Sequence, residues 1–283
     1  MENLYILKKY ILTTLAFFSI IAEGYSQKAE LLKKYSWRAI GPANMGGRVT
    51  DIDGVPGDPS TFYVSGADGG IHKTIDGGVN FKPIFENQRA YSIGALTIAP
   101  SDSNVLWVGT GEGDPRNSVG YGWGVYRSVD GGQTWKNLGL KKTERIKRIV
   151  VDPNNPDVAC VCALGKQWGP NKERGVFKTT DGGKTWDKVL FIDEDTGCAD
   201  IAIEIKNPRV MYAGMWTFRR KPWRFDDGGK NTAVYKTTDG GTTWKKKMKR
   251  LPKTDMARPG INIAQSDPNN INMSLIHKTE PTR

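Results

Sequence analysis

A pattern that recurs four times constrains this chain more than any other feature. Residues 71–81, 125–135, 176–186 and 234–244 share the form Ser/Thr-x-Asp-x-Gly-x-Thr-Trp, with Asn80 and Phe81 in the last two places of the first copy. The aspartates, Asp76, Asp130, Asp181 and Asp239, stand 54, 51 and 58 residues apart. That period is too long for a rung of a short solenoid and suits one four-stranded sheet per repeat. Each copy reads as a hairpin. The residues ahead of it alternate as in a strand, with Val125 and Arg127 opposed to Tyr126 and Ser128. Asp-Gly-Gly then supplies the positive-φ positions that glycine tolerates. The Asp and Ser/Thr side chains can bond the turn's own amides, so a structural role, not catalysis, is expected of all four aspartates. Trp135, Trp186 and Trp244 return into the next strand as apolar anchors.

A second element precedes each hairpin. An apolar stretch runs into a turn of Pro, Asn and Asp and then resumes, at residues 55–64, 98–108, 150–158, 205–212 and 261–276. One repeat is therefore strand, turn, strand, variable loop, strand, Asp-Gly-Gly turn, strand, which describes a propeller blade. The expected fold is an all-β propeller of four-stranded antiparallel blades at about 46–87, 93–140, 146–191 and 198–248, with two strands of a fifth at 260–277. The 33 Gly and 15 Pro among 283 residues suit so turn-dense a chain.

The four hairpins resemble the Asp-box, or bacterial neuraminidase repeat. The blades are similar to those of sortilin-type propellers and of exported bacterial proteins labelled glycosyl hydrolases, as are residues 37–48 and 109–118. The resemblance covers about residues 36–277. It implies a ring with more blades than the chain holds, so the expectation is a fragment of a larger ring lacking C-terminal blades. Residues 35–40 are placed to serve as the outer strand of the last blade. Such propellers host sialidases, xyloglucanases, sorting receptors and photosystem assembly factors, so the fold alone does not select a function.

The first 26 residues read as a signal peptide. Lys8 and Lys9 precede an apolar run over residues 10–22, and Gly24 and Ser26 stand at −3 and −1 of a cut before Gln27. The run is shorter than the roughly 20 apolar residues that span a bilayer. The propeller domain is expected at 27–283, exported to the periplasm, cell surface or medium, with no integral membrane segment once the signal is removed. Cys160 and Cys162 share one side of an apolar strand and Cys198 precedes another; all three are expected to be small core residues. With only two His beside three Cys, a zinc site is not expected, and Asp193-Glu-Asp and Asp226-Asp lack the ligand spacing of a calcium loop. Neither metal nor cofactor is expected. The net charge of +11 gathers at 141–148 and 245–250, on expected solvated outer strands and links. No nucleic-acid motif is present.

Binding residues are expected on the loops between strands 2 and 3 of each blade, on the face opposite the Asp-Gly-Gly turns, where length varies most. Blades 2 to 4 place Tyr121, Trp123, Trp168, Trp216 and Trp223 there, with Arg116, Asn117, Arg219, Arg220 and Arg224 and the carboxylates Glu112 and Asp114, and blade 1 adds Asp68. Aromatic faces beside Arg and Asn suit a polypeptide or a polysaccharide. The favoured function is an exported binding or scaffolding module. The alternative is a glycoside hydrolase with Asp68 and Glu112, on equivalent loops of adjacent blades, as its two carboxyl groups. Xyloglucanase-type propellers are similar in placing a catalytic Asp on the first blade's strand 2–3 turn before Gly-Gly. Here Ala67 holds that position and Asp68 follows it. The arginine triad of sialidases has no complete counterpart.

Overall fold

A computed structural model describes residues 47–249, 251–252, 255–268 and 270–277. The signal peptide expected at 1–26 and the outer strand expected at 35–40 lie outside them. The described residues fall in one compact unit of antiparallel sheets. The first sheet runs β1 (Val49–Gly54), β2 (Phe62–Gly66), β3 (Gly70–Thr74), β4 (Lys82–Pro83). The second is β5 (Ile93–Ala99), β6 (Asp102–Thr110), β7 (Val125–Ser128), β8 (Lys136–Asn137), and the third β9 (Ile146–Asp152), β10 (Asn155–Ala163), β11 (Gly175–Thr179), β12 (Asp187–Leu190). The fourth orders β13 (Thr196–Ile203), β14 (Met211–Lys221), β16 (Ala233–Thr237), β17 (Lys245–Lys247), with β15 (Arg224–Asp227) added beside the far end of β14. A fifth, two-stranded sheet pairs β18 (Met256–Ile263) with β19 (Ile271–His277). The first strands of successive sheets pack on one another, β1 on β5, β5 on β9, β9 on β13 and β13 on β18. Four propeller blades and a partial fifth thus surround an axis, with each blade's first strand innermost.

The core lies between blades. Strand side chains alternate, so a central strand buried on both faces serves two cores at once. On β6, Leu106 and Val108 pack towards blade 1 with Tyr63 and Ile71, while Val105 and Trp107 pack towards blade 3 with Ile149 and Phe177. On β10, Ala159, Val161 and Ala163 face blade 2, and Cys160 and Cys162 face blade 4. This double burial explains why residues 105–108 and 158–163 are continuous apolar runs without polar alternation.

That arrangement corrects the reading of the cysteines. Cys162 forms a disulfide with Cys198 on β13, Cα–Cα 5.0 Å, while Cys160 stays a buried free thiol. Spacing along the chain did not indicate the pair, because the two sulfurs meet only when blade 4 packs on blade 3. Burial pushes the remaining Cys160 thiol up to about 12.

The four Asp-Gly-Gly turns share one hydrogen-bond pattern. In the third, the Thr179 hydroxyl donates to Asp181 Oδ1 at 2.8 Å and accepts the Gly183 amide at 2.9 Å. Asp181 in turn accepts the amide and hydroxyl of Thr185 at 3.0 and 2.7 Å. Thr74–Asp76, Ser128–Asp130 and Thr237–Asp239 repeat these bonds. Bonds from the Asn80 and Thr134 positions hold the carboxyls of Asp76 and Asp130 at about 2, and Asp181 and Asp239 also lie below the usual range. The basic residue inside each of the first three repeats then reaches the following turn. Lys73 Nζ donates to Gly131 O at 3.2 Å, Arg127 Nη1 to Gly182 O at 3.4 Å and Lys178 Nζ to Gly240 O at 2.6 Å. Trp135 and Trp186 donate backwards, to Ile84 O and Leu138 O of the preceding blade at 2.9 and 2.8 Å. Trp244 departs from that pattern and bonds Gly241 O of its own turn at 3.1 Å.

The inner strands are laced as well. Asp51 and Asp53 of β1 accept the Leu96 and Ile98 amides of β5 at 3.1 and 2.7 Å, and Thr97 Oγ1 donates to Ile149 O of β9 at 2.9 Å. Asp200 of β13 accepts the Ile261 amide of β18 at 2.9 Å and Arg148 Nε of β9 at 3.3 Å. These strands line an open axial cleft of about 750 Å³.

Candidate functional site

The strand 2–3 face is built from four unequal connections. Blade 1 contributes the turn at 67–69, blade 2 the loop 111–124 and blade 3 the loop 164–174. Blade 4 was expected to carry a loop at 215–229 and instead forms a projecting hairpin. β14 continues to Lys221, turns through Pro222 and Trp223, and returns as β15 with Arg219 opposite Asp226. The outer strand β16 pairs only with the Met211–Met215 part of β14, so the remainder is free to take a second partner.

Loop 111–124 reaches every other blade. Glu112, 0% exposed, receives Arg48 Nη2 at 2.6 and 2.7 Å and Arg48 Nε at 3.0 Å, a bidentate ion pair with blade 1. Asp114 is bound by Lys147 of blade 3 at 3.3 Å and by Arg258 of blade 5 at 2.5 Å. Burial pushes the Asp114 carboxyl up, yet the two cations outweigh it and hold it below its ordinary value. Asn117 Oδ1 accepts Arg220 Nε of blade 4 at 2.8 Å, and Gln167 of blade 3 donates to the Arg116 carbonyl. Gly120 lies so close to blade 1 that a Cβ there would sit 2.2 Å from Asp68 Oδ1.

The expected residues therefore separate into three groups. Tyr121, Trp168 and Trp223 are exposed, as are Asp68 and Arg116, and Trp223 stands at the hairpin tip with 82% of its surface free. Glu112, Asp114, Asn117 and Arg219 are on the face but engaged, Arg219 with Asp195. Trp123 is half-buried beneath the Arg89 guanidinium, 3.6 Å from its ring centroid. Trp216 is not on the rim. It is 2% exposed, stacks on Phe218 at 4.6 Å and donates Nε1 to Asp227 at 2.8 Å. Its neighbour Thr217 takes the outward side of the strand, so alternation along β14 turns Trp216 inward.

Asp68 and Glu112 both act on Arg48, Glu112 by contact and Asp68 through its field, and together they raise the arginine's pKa. The Glu112 oxygens are occupied by the Arg48 guanidinium, which opposes their use as a general acid. Arg48, Lys147 and Arg258 were missed by the sequence reading. The signal for Arg48 was its place at the end of the Gly-Gly-Arg stretch ahead of β1, and Arg258 carries no signal. Lys147 belongs to the basic run 141–148, expected on solvated outer strands and links, but Lys147 and Arg148 lie on the innermost strand β9 because the chain enters blade 3 there. The axial cleft was also missed. It is lined by apolar residues such as Leu96, Ile149, Ile201 and Ile261 and by Asp51, Arg148 and Asp200, and loop 111–124 does not line it. Among the described residues no group of three or more His, Cys, Asp or Glu could hold a metal ion, and no helix is long and apolar enough to cross a membrane.

Known proteins share this architecture. The chain is 27% identical over 253 residues to the xyloglucanase Xgh74A of Acetivibrio thermocellus, covering 80% of this chain and 29% of that protein. It is 28% identical over 178 residues to the oligoxyloglucan-reducing end-specific xyloglucanase of Emericella nidulans, covering 60% and 20%. An ancestral GH74 enzyme superposes with a TM-score of 0.62 at 19% identity, over 82% of this chain and 30% of that one. The GH74 enzyme of Niastella koreensis gives 0.58 at 21%, over 79% and 33%. The chain thus spans between 20% and 33% of the length of these relatives, and the structural likenesses establish the propeller fold. The model of the family Sortilin-Vps10, described as sortilin, neurotensin receptor 3, matches residues 124–281, more than half of the sequence, and the chain belongs to that family.

Proposed function

We propose that this propeller is an exported binding or scaffolding module whose strand 2–3 face, in blades 2 to 4, takes a polypeptide or a glycan. The observation that carries the reading is the division of labour on that face. Two of its carboxylates, the buried Glu112 and the half-buried Asp114, are consumed by ion pairs that hold loop 111–124 in place. Its free groups in blades 2 to 4 are aromatic planes and a guanidinium, Tyr121, Trp168, Trp223 and Arg116, with the exposed carboxylate of Asp68 beside them on blade 1. Such groups stack and hydrogen-bond, as recognition of a polypeptide or a glycan requires. Export is supported by the residue pattern at 1–26 and by the Cys162–Cys198 disulfide, a bond that persists in oxidising compartments.

A second reading rests on the likeness to xyloglucanases. In it, Asp68 and Glu112 serve a glycoside hydrolase, and the Arg48 pair opens when substrate binds. One experiment separates the two. The purified chain is screened on glycan and peptide arrays and incubated with xyloglucan, beside Trp223→Ala, Trp168→Ala and Glu112→Gln. Binding weakened about tenfold or more by the Trp substitutions, with no sugar release, is expected for a stacking site. Release of sugars that Glu112→Gln abolishes would establish the hydrolase instead.

A further inference from the structure

Beneath the same face lie two arginines without a counter-ion. Arg145 precedes β9 and is 1% exposed; Arg174 precedes β11 and is 0% exposed. Arg145 gives Nε to Gly165 O at 2.9 Å and Nη1 to the Gln167 side-chain carbonyl. Arg174 gives Nη1 to Leu164 O and Nη2 to Lys166 O, both at 2.8 Å. Every acceptor is neutral. Arg145 Nη2 and Arg174 Nε have no hydrogen-bond partner among the described residues. Both guanidinium groups lie against the ring of Phe218, 5.6 and 4.5 Å from its centroid. Two like charges are thus enclosed at the seam of blades 3 and 4.

Among the described residues, no acid whose field reaches this pair forms an ion pair with it, and two of them are matched by other cations. Glu144 pairs with Lys166 at 3.7 Å, Glu112 with Arg48 at 2.6 Å, and Asp193 accepts Asn231 Nδ2 at 2.6 Å. Arg127 shows the contrast. Its Nε is also unpartnered, but Asp157 meets its charge at 2.5 Å. Burial lowers Arg145 to about 9 and Arg174 to about 10, so both remain charged at neutral pH. An enclosed charge without a counter-ion is strongly unfavourable, and buried N–H donors in folded proteins are nearly always hydrogen-bonded to protein, water or an ion. A water molecule would satisfy the two N–H groups and leave both charges unmet. An anion does both, and residues sealed to 1% and 0% exposure admit only a small one.

We propose that Arg145 and Arg174 bind a buried halide ion, chloride in ordinary media, through Arg145 Nη2–H and Arg174 Nε–H. The ion joins the link into blade 3 to the core of blade 4 and supports the floor of the candidate binding face. The site stands whether that face binds a ligand or hydrolyses one.

The test is thermal unfolding of the full chain at constant ionic strength as chloride or bromide replaces gluconate. A saturable rise of about 3 °C in Tm with either halide is expected. The rise should vanish in Arg174→Gln. Should that variant fail to fold, bromide-soaked crystals of the unaltered chain give an independent reading: an anomalous peak within hydrogen-bonding distance of both nitrogens supports the site. Equal Tm values in all three salts, a halide response that persists in a folded Arg174→Gln, or density for water alone would overturn it.

Discussion

The two ends of this propeller are held by different kinds of interaction. At the end bearing the Asp-Gly-Gly turns, each bond either closes within five residues, as Asp181 does with Thr179 and Thr185, or joins one repeat to its neighbour through the same residue position, as Lys73, Arg127 and Lys178 do. That is the nearest-neighbour logic of a repeat protein. At the opposite end the bonds obey no period. Arg258 of blade 5 and Arg220 of blade 4 both reach into the loop of blade 2, and Arg48 of blade 1 secures the same loop. The regular end carries stability redundantly in four copies. The irregular end depends on single contacts, and there loops are free to differ and to acquire function.

The largest test of this contrast is the disulfide, which joins β10 near its loop end to the start of β13. It closes a loop of 36 residues, so replacing Cys162 and Cys198 together by Ala should lower unfolding free energy by about 4 kcal/mol in a guanidinium titration. A loss below about 1 kcal/mol would mean that blade packing alone holds the seam. Next comes Arg48. Arg48→Ala leaves a fully buried carboxylate unpaired, whereas Glu112→Gln leaves only a half-exposed guanidinium. Arg48→Ala should therefore destabilise more, and hydrogen exchange should accelerate at 111–124 while the four turns keep their protection. Equal losses in the two variants, or faster exchange at the turns, would break the comparison.

A single turn should cost less. Thr179→Val removes the donor to Asp181 and the acceptor of the Gly183 amide, for about 1 kcal/mol by urea titration. The same substitution at Thr237 should give a similar figure; widely different values would show that the turns are not equivalent. The smallest effect is that of acid. The four turn aspartates have folded pKa values depressed below the unfolded value of 3.8, so the stability they confer is complete above about pH 4 and is lost as pH falls towards 2 and below. The groups are exposed and screened, so the decline should be gradual and weakened by salt. A flat stability profile from pH 5 to pH 2 would remove the carboxylates from the account of the turns.

The blade order was legible because its determinants are local. Ser/Thr-x-Asp-x-Gly specifies a turn whichever chain surrounds it, and unbroken apolar runs announced strands buried on both faces. The candidate site was legible only in part. Loop 111–124, Trp168 and Trp223 could be placed on one face from blade order alone. That Glu112 would be sealed under Arg48, or Trp216 turned into the core, could not, since each depends on a residue far away in sequence or on where a strand continues.

By itself the sequence determined the repeat, the strand order within each blade, the turns with their aspartates and the membership in a family of propellers. Only the tertiary structure decided which cysteines pair, which carboxylates are consumed in ion pairs, and where two arginines meet without a counter-ion. The physical reason is range. Turn chemistry and side-chain alternation act over a few residues and are written wherever they occur, whereas an ion pair, a disulfide or a buried charge exists only between groups that packing brings together.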